Sequence, residues 1–435
     1  MGNKITKYLS ENLFKGDKAV WMIYFFLCMI SLVEIYSASS NLTFKSGHHW
    51  APMISQGGFL LGGFVIILIV HRIPCKYFKI LPLFLIPLSL ALLICTKLMG
   101  VEVGEAQRWI KLGQFSFQPS ELAKTALILA LALILSVTQT EQKKIRKGIV
   151  KYYPSATKGG YSKPFKICGI LALVICAVIC TENFSTAAIL FTVVITMMWI
   201  GNIPVKLLLK GLGWIGLIGA LMVACMFILP NKTLSSLSKR APTWKARIEN
   251  KFLSSDKQDS LSVMTIKDVQ KQENSAYIAI ANSNVIGRGP GNSEERDFLY
   301  RAESDFIFAI IIEELGILGG FAVIILYLTL LVRSGKIAQK CNRFFPAFLV
   351  MGLGTMITLQ ALINMGVAVG MLPVTGQPLP LISKGGTSIL MTSFNIGMIL
   401  SVSRYAEKVS ETKAEPAESI STNETDEYFS SVGME

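Results

Sequence analysis

The chain has 435 residues, 52% of them hydrophobic and 16% charged, with a formal net charge of +14. A single soluble core of that composition would lack the polar surface to cover itself, which excludes an ordinary soluble globule and points to a lipid solvent. Membrane topology and one long basic loop account for the positive excess, so nucleic acid is not needed as a partner.

Residues 1–18 form a short basic segment with Lys4, Lys7, Lys15 and Lys18. The apolar run that follows, 19–40, is long and has no small-residue cleavage site leading into a soluble domain, so it reads as an anchor and not a signal peptide. Further apolar runs lie at 53–71, 78–97, 119–138, 165–180, 185–201, 205–229, 305–332, 344–365 and 386–403. Roughly 18 or more apolar residues suffice for a helix to cross about 30 Å of hydrocarbon. The expectation is an all-α polytopic membrane protein with about ten transmembrane helices over residues 19–404.

Alternate connections concentrate Lys and Arg: Arg72, Lys76 and Lys79, then the basic 141–164 stretch, then Lys206 and Lys210, then Arg333, Lys336, Lys340 and Arg343. The positive-inside rule puts these, and both termini, in the cytoplasm. The outer face then consists of 41–52, 98–118, 181–184, the large extracytoplasmic loop 230–304 between helices 7 and 8, and 366–385. Within the large loop, 244–253 has an amphipathic helical pattern, and 270–287 a second helical period that ends at Gly287. The 141–164 loop is expected to lie on anionic lipid headgroups. The acidic, Ser- and Thr-rich tail, 405–435, is expected to be a disordered cytoplasmic segment.

Eight cysteines show neither a disulfide framework nor a zinc spacing. His48 and His49 are too few for a metal site.

Charges placed where lipid is expected carry more information. In "RAESDFIFAIIIEELG" (301–316), Glu303 and Asp305 stand at the outer mouth of a span. Glu313 and Glu314 fall about 12–14 Å further along the helix. An acid at that depth costs about 3 kcal/mol, so the pair must face protein or a wet cavity, as a structural clamp or ion pair between helices or as a polar gate. For Asp305 the sequence permits a catalytic base or a first-turn acid stabilised by the helix dipole. In "GEAQRWIKLGQFSFQPSELAK" (104–124), Glu121 and Lys124 share a helix face. Trp109 suits the interface belt, and Arg108 and Lys111 suit a headgroup or a phosphate. "MLPVTGQPLPLISKGGTS" (371–388) reads as an outer re-entrant turn ending at Lys384, tolerated only against protein or a cavity. "GRGPGNS" (287–293), with Arg288, looks suited to a phosphate but lacks the ending of a P-loop.

These stretches, with "ENFSTA" (182–187), resemble in order the motifs of the shape, elongation, division and sporulation family, that of FtsW, RodA and SpoVE. The resemblance runs from the first span to Arg404 and leans to the division branch. It implies a multi-span glycosyltransferase of the bacterial cytoplasmic membrane that polymerises lipid II into peptidoglycan strands at the outer face, here at the septum. It also implies a class B penicillin-binding transpeptidase and other division proteins as partners. The family's catalytic aspartate falls on Asp305. Ser304 replaces its usual threonine, and Tyr300-Arg301-Ala302-Glu303 its Pro-Glu-Ala-His lead-in. Asn183 and Ser185 stand where Asp and Gly are usual.

The reaction needs one base, because a pyrophosphate leaves readily once its charge is balanced. Arg108, Lys111, Glu121, Lys124, Arg288 and Lys384 form the expected substrate-binding set, and Glu303, Glu313 and Glu314 a structural or polar-cavity set. No cofactor is required, and a divalent cation, magnesium or manganese, is an alternative balance for the pyrophosphate. A lipid II flippase or a non-catalytic division scaffold are the competing readings.

Overall fold

The computed structural model describes residues 14–38, 50–102, 107–112, 115–146, 162–180, 183–213, 216, 274–299, 302–372 and 374–414. The long helices are α1 (Lys18–Ala38), α2 (Ala51–Val70), α3 (Leu81–Met99), α4 (Pro119–Arg146), α5 (Ser162–Cys180), α6 (Phe184–Ile200), α7 (Ile307–Lys340), α8 (Phe344–Ala368) and α9 (Gly386–Ala414). Among the described residues eight of these are long and apolar enough to cross a membrane, and α6 is apolar but has 17 residues. Nine of the ten expected spans are therefore helices; the remaining one starts as helix at 205–213, and the rest of it lies outside the described residues.

Burial divides the bundle into inner and outer helices. α4, α8 and α9 are mostly buried, whereas α2, α3 and α5 turn broad apolar faces outward. Met22, Phe26, Ile54, Leu61, Leu83 and Phe84 are exposed on that outer surface, as a lipid-solvated protein requires. The helix starts follow elementary rules. Asp17 accepts the Ala19 N–H at 2.9 Å, satisfying an orphan donor of α1, and also pairs with Arg333, which fastens the start of α1 to α7. Asn183 caps α6 by accepting the Thr186 N–H at 3.3 Å.

Three local features depart from the expected pattern, and one expectation lies outside the described residues. The 98–118 connection is not a plain loop. Val101–Glu102, Gln107–Leu112 and Phe115–Phe117 form β1, β2 and β3 of a small antiparallel sheet in that order, with Ile110 opposite Phe117 and Leu112 opposite Phe115. α9 continues past residue 404 to Ala414, and the remainder of the expected tail lies outside the described residues. The expected 244–253 helix also lies outside them, whereas 274–281 is helical. Finally, the span 305–332 is broken: inside α7, Gly316 has φ 73° and ψ −178°.

Candidate active site

α7 begins after a turn at 302–305, and the way that turn is held sets the site. Phe306, not Asp305, occupies the cap position of α7, and no side chain caps it. Asp305 is half-buried, and its carboxylate accepts the Ser304 hydroxyl at 3.0 Å. Two further bonds attach the turn to the 374–385 segment, Lys384 N–H donating to the Glu303 carbonyl at 2.9 Å and Ser383 Oγ to the Ser304 carbonyl at 2.6 Å, and a third, from Asn364 Nδ2 to the Asp305 carbonyl at 3.0 Å, ties the turn to α8. Glu303, Asp305 and Lys384, from two distant stretches of sequence, are thus brought together on one rim.

The 374–385 segment is irregular and largely buried, so its backbone groups need partners. They come from four helices. Asn364 also donates to the Gln377 carbonyl at 2.7 Å, Gln360 to the Pro378 carbonyl at 3.1 Å, Ser31 to the Ile382 carbonyl at 2.9 Å, Gln56 to the Ser383 carbonyl at 3.4 Å, and Tyr327 to the Pro380 carbonyl. Gln377 in turn donates to Thr186 of α6 at 2.7 Å.

Glu121 and Lys124 lie behind this segment. They are 5% and 1% exposed, paired at 2.8 Å, and Lys124 also donates to Gln360 Oε1 at 2.8 Å. Lys124, Gln360 and Pro378 therefore form a continuous support under the rim, with both charges turned inward.

Glu313 and Glu314 are both 0% exposed, and their partners come from the "GRGPGNS" stretch. Glu314 accepts the N–H groups of Gly291 at 3.0 Å and Ser293 at 3.3 Å, together with the Ser37 hydroxyl of α1. Glu313 accepts the Glu294 N–H at 3.0 Å and the Ser293 hydroxyl. Arg296 closes the cluster by donating to Ser37 at 3.2 Å and to the Gly291 carbonyl at 2.7 Å.

The same stretch splices the broken helix. Arg288 and Gly289 N–H groups donate to the Glu313 and Glu314 carbonyls at 3.1 and 2.8 Å, and below the break Ile317 and Leu318 donate to the Asn284 and Val285 carbonyls at 3.3 Å each. Gly287 and Gly316 are in contact at the crossing, where a Cβ on either would run into the other's backbone, and both have positive φ. The loop thus answers four of the backbone groups at the break.

Of the remaining predicted cations, Arg288 pairs with Glu294 at 2.6 Å at a partly exposed position. That hydrogen bond, and the neighbouring acids after it, hold the Arg288 guanidinium above its usual range. Arg108 and Lys111 lie on β2, which packs against α3 and α4. Among the described residues, no group of three His, Cys, Asp or Glu side chains converges to hold a metal ion. The sequence reading missed the carboxamides of Asn364, Gln360 and Gln377, and the buried acid Glu34 on α1. A polar amide inside an apolar run was the available signal for the first two.

A sequence model of the FtsW/RodA/SpoVE family, described as cell cycle protein, matches residues 17–408. The chain belongs to this family. With its apolar helices, that makes it a multi-pass membrane protein. Among its relatives, a probable peptidoglycan glycosyltransferase FtsW of Enterococcus hirae is 30% identical over 404 residues, covering 90% of this chain and 94% of the relative. One of Nitrosococcus halophilus is 32% identical over 382 residues, covering 86% and 87%. A chain from a solved peptidoglycan synthase complex superposes with a TM-score of 0.67 at 24% identity, covering 90% of this chain and 98% of that one. The rod shape determining protein RodA of Thermus thermophilus does so with 0.58 at 20% identity, covering 89% and 97%. At those identities the solved structures establish the fold alone.

Proposed function

We propose that this FtsW/RodA/SpoVE-family protein is a peptidoglycan glycosyltransferase that polymerises lipid II, with Asp305 as the general base. The observation that carries the reading is the Asp305 rim, a half-buried carboxylate at the start of α7 whose turn is fixed by Asn364, Ser383 and the Lys384 backbone. The full-length relationship to proteins named as peptidoglycan glycosyltransferases supports it.

In the proposed step, a sugar hydroxyl of one lipid-linked substrate attacks the anomeric carbon of another. The new glycosidic bond forms as the bond to the prenyl pyrophosphate breaks, the leaving group takes the electron pair, and the hydroxyl proton passes to Asp305. Lys384 beside the rim, with Arg288, Arg108 and Lys111, would balance the pyrophosphate charge. Two membrane-bound reactants meeting at one rim lose little further translational freedom, which lowers the barrier.

Under the positive-inside rule the basic connections favour the outer face of the cytoplasmic membrane for the rim, and the division-type relatives support the septum and a penicillin-binding transpeptidase beside it. Glu313, Glu314, Glu121 and Lys124, the groups a transport path would have to expose, are instead buried against protein partners, which favours surface chemistry over the flippase reading.

The test is polymerisation of lipid II by the purified chain, with and without a transpeptidase partner and a divalent cation. Asp305→Asn should keep its fold and make no glycan. Polymer at the wild-type rate from that variant would remove Asp305 from the mechanism.

A further inference from the structure

The turn between α2 and α3, the junction of α7 and α8, and residues 401–405 of α9 line a cavity of about 290 Å³. α7 runs from the Asp305 rim to this junction, so the cavity lies at the opposite end of the bundle. Lys76, Lys79, Arg343 and Arg404 line it together with Phe345 and Pro346, and no carboxylate is among the described residues of its wall. Cations gathered around one space repel each other unless an anion enters.

Their convergence is also registered at Cys75, a nearly buried thiol of the same wall. Burial pushes it up, while Arg343, Lys79 and Arg404 each pull it back down. The wall is held in place by its own bonds. Ser401 Oγ donates to the Ile73 carbonyl, Arg404 to the Arg72 carbonyl at 2.7 Å, and the Lys79 ammonium lies 5.7 Å from the Phe345 ring centroid.

We propose that this cavity binds the phosphate of an anionic phospholipid headgroup, with the four cations around its oxygens and Phe345 and Pro346 against its glycerol edge. Helix ends lie at headgroup depth, where basic pockets between transmembrane helices take anionic lipids. Arg343 and Arg404 supply planar donor forks suited to phosphate oxygens. Net charge distinguishes the ligand from a zwitterionic headgroup, whose ammonium would meet four cations.

The experiment uses the full-length protein in neutral detergent at fixed ionic strength, with phosphatidylglycerol, phosphatidylcholine or inorganic phosphate added and bound lipid counted by native mass spectrometry. Phosphatidylglycerol should be retained about tenfold better than phosphatidylcholine, and the Lys79→Gln, Arg343→Gln double variant should lose about tenfold of that binding. The Lys206→Gln, Lys210→Gln variant removes the same charge from exposed positions outside the cavity and should keep it. If the first variant does not fold, Lys79→Arg with Arg343→Lys keeps the charge and should retain the lipid. Displacement of the lipid by millimolar inorganic phosphate would assign the same cations to a soluble phosphate, and resistance to it assigns them to the bilayer. Equal retention of phosphatidylcholine, or an equal loss in the Lys206 and Lys210 control, overturns the site.

Discussion

Asp305 and the Glu313–Glu314 pair lie within ten residues of each other on one segment, yet their surroundings are opposed. Asp305 is half-exposed, with a side chain held by a neighbouring hydroxyl and a backbone held by an amide. The two glutamates are sealed, and their carboxylates accept backbone N–H groups from a loop. An acid in an apolar helix is thus not by itself a sign of chemistry: the two glutamates are sealed against a loop's N–H groups, whereas Asp305 stands at a partly exposed position.

Substitutions can break or sharpen that contrast. The largest effect belongs to Asp305→Asn, with a loss of about 10²–10⁴-fold in lipid II polymerisation and an unchanged unfolding temperature. A fall in both would merge the two classes of acid. Gly316→Ala puts a Cβ into the Gly287 and Val285 backbone at a positive φ, so roughly 3 kcal/mol or more of stability should disappear in detergent unfolding. Glu314→Gln keeps the shape but turns an amide toward the Gly291 or Ser293 donors. About 2 kcal/mol should be lost, with residual activity following the folded fraction. Ser37→Ala removes one hydroxyl from the same cluster and should cost about 1 kcal/mol, read as a small drop in unfolding temperature.

The sequence was most readable where a single local property decides the structure. Apolar run length marked the helices, and the cost of burying charge marked Glu313 and Glu314 as needing partners. It was less readable where partners come from afar. The donors to the 374–385 segment sit on α1, α2, α7 and α8, at positions such as Ser31, Gln56, Tyr327 and Gln360 that carry no pattern of their own. The strands at 101–117 are two, six and three residues long, too short for an alternation to stand out.

"GRGPGNS" is the instructive case. Its composition suggested an anion cradle, and its N–H groups do face anions, but the anions are the protein's own carboxylates. Asn183, which departs from the family's usual aspartate, still caps its helix, because either side chain supplies the needed oxygen.

The break at Gly316 leaves the two turns of helix after Asp305 without an unbroken helical hydrogen-bond ladder to rest on. Their footing is the loop strand 284–294, which acts as a splint across the fracture. The position of the rim is therefore set jointly by the bundle, through Asn364, and by the segment 284–294 that bridges the break.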